Sequence, residues 1–462
     1  LTVGNTVANV AFTGNGSSVA NSFTPNNDGT FIFGASGGTQ TYNGGLNTAS
    51  VDGTVTLNGT IATSNDVVVL GAVTLASATT IDTNASSNAG DITIAAITGG
   101  SQNLTLSTGD NIAGADVTAS GAISGLGNLI LADVGGTATF SNNVAAAALS
   151  AANTVANITF TGGTNTFSAA STLANDGTLT FGDATGDSFT FNGGLNTSSV
   201  AGTVTLNTSI SSSNDAMVFG AITLGNNVTI DTNASSTTGD LTLGVVTGGS
   251  NTLTLSTGNN VDDSDITASG NISGVTTLTL ADVGGTATLS ADVDVTTLAV
   301  DNTVANVAFT GNGSSVANAV AFANDGTLIL GTDGGTQTFN GGLTTSSVAG
   351  TVTLNTSISS SDDALTFGAV TLGNNVTIDT NSTTTNRADI TIAAVTGGSN
   401  TLTLTTEDNV TGSDITASGN ISGVTTLTLA SVGGTATLSA DVDVTTLTVG
   451  NTVANVAFTG NA

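Results

Sequence analysis

The stretch Thr252–Leu280 reads TLTLSTGNNVDDSDITASGNISGVTTLTL. In Thr252–Leu253–Thr254–Leu255 the two Leu side chains project to one side of an extended strand and the two Thr to the other. Thr277–Leu278–Thr279–Leu280 repeats that arrangement 25 residues later. Between them lie clusters such as Gly258–Asn259–Asn260, rich in residues that form turns rather than strands. The same rhythm runs outward in both directions: TLTF at 178–181, TVTL at 203–206, LTLG at 241–244 and TATL at 286–289. No run shows helical periodicity, so no long helices are expected.

On a larger scale the chain repeats itself. NTVAN begins at Asn5, Asn153, Asn302 and Asn451, with steps of 148, 149 and 149 residues. NGGL begins at Asn43, Asn192 and Asn340, TVTLN at Thr54, Thr203 and Thr351, and TIDTN at Thr80, Thr229 and Thr377. The copies are 5–152, 153–301 and 302–450, with the start of a fourth at 451–462. The chain opens at Leu1 with no signal peptide and closes partway through a phrase, which reads as a piece of a longer array.

Each copy holds about twenty short strands, so three strands per coil give about seven coils of about 21 residues per 149-residue repeat. The expected fold is all-β: a right-handed parallel β-helix, or β-solenoid, forming one continuous body over 1–462 with apolar residues inside and Thr and Ser outside. Coils about 4.8 Å apart would make each copy about 34 Å long and the chain about 100 Å. Immunoglobulin-like modules repeat at about 100 residues, propeller blades at about 40–45, and calcium-loaded β-rolls need a dense glycine–aspartate nonapeptide; none fits. The 16 Phe fall unevenly, six of them between Phe160 and Phe219, which suggests a wider core in the first half of each copy.

Composition removes many functions. There is one Lys or Arg against 32 Asp or Glu, a net charge of −31, and no His, Cys or Trp. Without Lys there is no Schiff base and no phosphate-loop lysine; without His there is no Ser–His pair or imidazole ligand; without Cys there is no disulfide, thiolate or zinc cluster. So acidic a chain repels phosphate, so nucleic acid is not an expected partner. Charged residues are 7% of the chain, against roughly 25% in an ordinary globular domain, yet mean hydropathy is +0.30, which argues against disorder. No apolar run approaches the roughly 18 residues that span a bilayer, so no membrane insertion is expected here.

The phrases LTLSTGDNI at 104–112 and DITASGNISG at 265–274 resemble the strand–turn phrases of filamentous-haemagglutinin-like adhesins and autotransporter passenger domains. The resemblance is one of repeat style and covers the whole chain. It implies a β-helix shaft, export to the bacterial cell surface, and adhesion or fibre formation.

Candidate sites centre on aspartate. Four sets recur in phase: Asp66, Asp215 and Asp363; Asp82, Asp231 and Asp379; Asp91, Asp240 and Asp389; Asp116, Asp265 and Asp414. Calcium favours clustered carboxylates, but equivalents in successive copies would be about 34 Å apart, too far to share an ion. Asp also caps turns and keeps a surface soluble. Two departures favour turns: Asp133 and Asp282 are matched by Ser431, and Asp110 and Asp408 by Asn259. The run Asp262, Asp263 and Asp265 is the best local calcium candidate. No other cofactor is expected. Paired carboxylates could serve a glycosidase, but the single basic residue, Arg387 near Asp389, has no counterpart in the other copies, and these carboxylates recur; the chain reads as a non-enzyme. Outward Thr pairs (Thr203 and Thr205, Thr252 and Thr254, Thr277 and Thr279) resemble an ice-binding array, but sequence phase does not confine them to one face. Asn-x-Ser/Thr triplets at Asn15, Asn58, Asn84, Asn103, Asn207 and Asn227 follow from composition.

The leading expectation is a structural, extracellular shaft or fibre at the cell surface, self-associating end to end or side by side. The alternative is a module that binds glycan or a host receptor on the side of the stack, though the chain offers only Tyr42 as a polar aromatic platform. A carbohydrate-active enzyme and an ice-binding array are the remoter readings.

Overall fold

A computed structural model describes residues 1–460 other than 88, 110–111, 259–260, 383–386 and 408–409. The departures at Asp110, Asp408 and Asn259 therefore lie outside the described residues. Among those described there is no helix, and every registered strand pairing is parallel. The fold is an all-β parallel solenoid of about 20 turns. It divides into two compact units, Leu1–Val228 and Thr229–Ala462.

In the first unit, the opening coil presents three sides in turn: Val10–Phe12, Ser17–Val19 and Phe23. These pair with Phe31–Phe33, Gln40–Tyr42 and Leu46 of the next coil. Strands alternate as the sequence requires. In Phe31–Ile32–Phe33 the outer two residues are fully buried and the middle one half-exposed, and Val204–Thr205–Leu206 follows the same scheme. Inward residues stack coil upon coil, so each buried side chain meets its equivalent above and below. Full burial of a Leu, Val, Ile or Phe side chain contributes on the order of 1.5–3 kcal/mol. Phe140, Phe160 and Phe181 form one such row, with centroids 4.8 and 6.0 Å apart.

The second unit is built likewise. Thr252–Leu255 lies directly against Thr277–Leu280, Leu on Leu and Thr on Thr. Its last strand, Val442–Phe458, pairs with Ile421–Leu438 on one side.

Coil length varies with the turns: Val55 to Val73 takes 18 residues, and Ile97 to Ile123 takes 26. The longest coils fall where no Phe occurs, so coil length does not follow aromatic content. This variation sets the phase of the repeat. Ile158 is the copy-two equivalent of Val10, yet its column runs down through Ala138, Val117, Ile92, Val68 and Leu46 to Phe23. Phe23 lies two sides further along the opening coil than Val10. A copy thus takes six coils and two sides of a seventh. The second unit repeats the result: Val456, equivalent to Val307, stands six coils above Val320. The column of Val307 leads instead to Val442. Within each unit, equivalent phrases therefore occupy different sides of the solenoid.

Candidate functional site

The aspartates build backbone. In the TIDTN phrase, Asp82, Asp231 and Asp379 each accept a hydrogen bond at Oδ1 from the backbone N–H two residues on, at 2.9, 2.8 and 2.7 Å. The donating residues Asn84, Asn233 and Asn381 have φ of 44°, 47° and 46°, the left-handed conformation that Asn tolerates. Burial raises the Asp379 carboxyl above its ordinary pKa, while the Asn381 N–H opposes that shift.

The other sets tie coils together. Asp91 Oδ1 accepts from Asp116 N (3.0 Å), and Asp116 Oδ1 accepts from Thr137 N (2.7 Å). Asp240, Asp265 and Thr286 repeat the chain of contacts at 3.1 and 2.7 Å, and Asp389, Asp414 and Thr435 at 2.8 and 2.7 Å. Asp66, Asp215 and Asp363 are engaged through their carbonyl oxygens, which accept from Thr63, Ser212 and Ser360 hydroxyls. Asp133 and Ser431 likewise act through their carbonyls, accepting from Thr108 N and Thr406 N, so the Asp–Ser exchange costs nothing there.

In the calcium candidate, Asp262 and Asp263 sit exposed in a turn while Asp265 caps Thr286 on the next coil. Among the described residues, no group of three or more acidic side chains is placed to hold a metal. Arg387 does not pair with Asp389: its Nη2 lies 3.1 Å from Asp414 Oδ2, in an exposed ion pair across one coil, and its Nε donates to Gly412 O.

Tyr42 offers no platform for a sugar. It is fully buried, its hydroxyl donates to Gln40 Oε1 (2.8 Å), and burial pushes its pKa far up. The buried Gln40 and Gln337 were not singled out by sequence reasoning. Gln337 Nε2 donates to Phe309 O (2.6 Å) and Gly311 O (3.0 Å). The signal was present: Gln40 is in phase with Tyr42 on an alternating strand.

One surface concavity recurs in all three copies. It is a notch of about 390 Å³ at Gly125, Leu126 and Ala145, of about 370 Å³ at Gly274, Val275 and Asp294, and of about 330 Å³ at Gly423, Val424 and Asp443. Its cause is a register shift between Ile123 and Leu126, Ser273 and Val275, and Ser422 and Val424. The extra residue is a Gly at φ 63°, 66° and 68°. In the second copy the notch carries Asp294, Ser250, Thr276, Thr296 and Ser315; in the first the equivalent of Asp294 is Ala145.

The Thr pairs are gathered by register in a way that sequence phase hid. In the first unit Thr93, Thr118, Thr139, Thr159, Thr180, Thr205 and Thr223 form one outward column on seven successive coils. In the second, a comparable column is broken between Thr288 and Thr353 by Ala308 and Ile329. The pairs Thr252 with Thr254 and Thr277 with Thr279 stack on adjacent coils.

Comparison with family models, curated proteins and solved structures returned no match.

Proposed function

We propose that the chain is a structural shaft: a segment of an extracellular, cell-surface fibre or adhesin stalk whose task is mechanical. The observation that carries this reading is the parallel ladder within each unit, where described coils hydrogen-bond to their neighbours and bury a mainly apolar stack. Such a stack distributes load over many backbone bonds. The acidic surface keeps one shaft from adhering nonspecifically to another. Association with further copies, end to end or side by side, belongs to this reading.

The test is mechanical and topographical. Pulled by its ends, the full chain releases length in steps of about one coil, near 75 Å of contour for 22 residues, and surface labelling of the producing cell reaches the chain. Unfolding in two large all-or-none events, or a chain that surface reagents never reach, would overturn it.

The notch favours a second reading, a ligand-binding module on the side of the solenoid. It is the concavity found at the same point of every copy, and in the second copy it brings a carboxylate and four hydroxyls together. A glycan array probed with the full chain supports this reading if specific signals fall when Asp294→Ala is introduced. No signal above background removes it.

A further inference from the structure

We propose that the threonine face of the first unit is an ice-binding surface. Its centre is the seven-rung column from Thr93 to Thr223. Beside its rungs from Thr139 to Thr223, two residues earlier on each strand, run Thr137, Asn157, Thr178, Thr203 and Ala221; beside Thr93 and Thr118 stand Asp91 and Asp116. Rungs are about 4.8 Å apart and residues i and i+2 about 6.6 Å. The result is a regular array of hydroxyls whose rung-to-rung interval is comparable to that between second-neighbour oxygens in ice.

Three properties make the array more than solvated strand surface. It is rigid: Thr is stiff at χ1, each column Thr is half-buried between its neighbours, and register runs without a shift from Ile158 through Leu224. Over the five rungs from Thr139 to Thr223 it is uncharged: the strands at 137–141, 157–161, 178–182, 203–207 and 221–225 carry no Asp, Glu, Lys or Arg, although the chain holds 32 acids. Charges would hold water in their own hydration geometry. It is also unspent: the seven column hydroxyls take no hydrogen-bond partner among the described residues, whereas neighbouring Thr178 Oγ1 donates to Asn157 Oδ1 at 2.9 Å. Each column residue thus offers water one donor–acceptor oxygen and one methyl group, in a repeat that matches a crystal better than a discrete ligand. The inference is independent of a mechanical role.

The experiment measures thermal hysteresis and ice-crystal shape with the full chain, with Thr180→Lys, with Thr205→Lys, and with a control, Thr166→Lys, in a different column, against Ala145. Circular dichroism checks that each variant keeps its strands. Parent and control are expected to open a hysteresis gap and facet the crystals. Either column variant loses most of the gap, and two sites guard against one of them unfolding. A parent that leaves ice growing as round discs overturns the proposal. So do folded column variants that keep the gap, or a control that loses it equally.

Discussion

Phe160 gives the sharpest test of the stacked core. It is fully buried, its ring lies 4.8 Å from Phe140 and 6.0 Å from Phe181, and Phe189 meets it edge-on at 5.8 Å. Phe160→Ala removes a core aromatic, which costs about 3–5 kcal/mol. The ring contacts, worth about 0.5–1.5 kcal/mol each beyond area, place this site near 4 kcal/mol or above. The neighbouring Thr159 points outward, and Thr159→Ala should cost no more than about 0.5 kcal/mol. Amide hydrogen exchange on the intact chain reads both. The informative amides are Thr161 N–H, bonded to Phe140 O, and Gly182 N–H, bonded to Phe160 O. In Phe160→Ala they exchange roughly a thousandfold faster, since each 1.4 kcal/mol is tenfold. Ile97 N–H, bonded to Ala122 O several coils away, changes little because neighbouring coils carry most of the coupling. Equal effects of the two substitutions, or a uniform loss of protection at Thr161 and Ile97, would refute the column of stacked side chains.

Three further outcomes are expected. Gly121→Ala places a Cβ 1.6 Å from Ala95 O and should lower the melting temperature by an amount equivalent to at least about 1–3 kcal/mol, whereas Gly114→Ala, with nothing within 4 Å, should not. Asn84→Ala should cost about 1–2 kcal/mol in chemical denaturation, because Asn84 holds φ at 44° and Ala resists that conformation. Asp379 has a raised folded pKa, so its native carboxyl binds protons more tightly than the unfolded one and its charge is a penalty at neutral pH. Stability from this group is lost as pH rises through the raised value. Asp379→Asn, which keeps an acceptor for Asn381 N, should therefore melt at or above the parent at pH 7. That difference should vanish below the unfolded value of about 3.9; a difference that grows with acid contradicts the sign.

The architecture was legible because alternation is local. TLTL and TVTL fix which side chains face in, and the turn phrases space the strands closely enough that three strands make a coil. The TIDTN turn was legible for the same reason: Asp82 and Asn84 complete it within two residues. What stayed hidden depends on counting across coils. Turns of different length shift each coil between 18 and 26 residues, so no sequence period reveals that Thr93 and Thr223 share a column. The placement of Asp265 is hidden for a similar reason. Adjacency in sequence put Asp262, Asp263 and Asp265 on one turn, but Asp265 turns to the next coil and caps Thr286.

The two-thirds step changes what a repeated phrase can be. Had each copy taken seven whole coils, equivalent residues would share a column within a unit; instead Ile266 stands in the column of Val307 and Ile415 in that of Val320. Electrostatics does not demand this, since charges seven coils apart are already beyond a Debye length of about 8 Å. The demand falls on the corners, which must work on whichever side they land. They meet it by closing on themselves. Buried Asn175 donates to Gly177 O and Thr178 O, each at 3.0 Å, and Asn27 repeats that pair of bonds at Gly29 O and Thr30 O. Asn324 makes the same reach to Thr327 O at 2.9 Å. These local bonds travel with the corner to whichever side it occupies, and Asn175 and Asn324 add a bond to Ala156 O and Ala305 O of the neighbouring coil. The outward positions between corners are then free to differ: Thr159 and Thr180 continue the threonine column where Ala308 and Ile329, at the same points of the third copy, interrupt theirs. Surface function in such a solenoid is therefore decided copy by copy at outward strand positions, while the fold is carried by the corners and the inward rows.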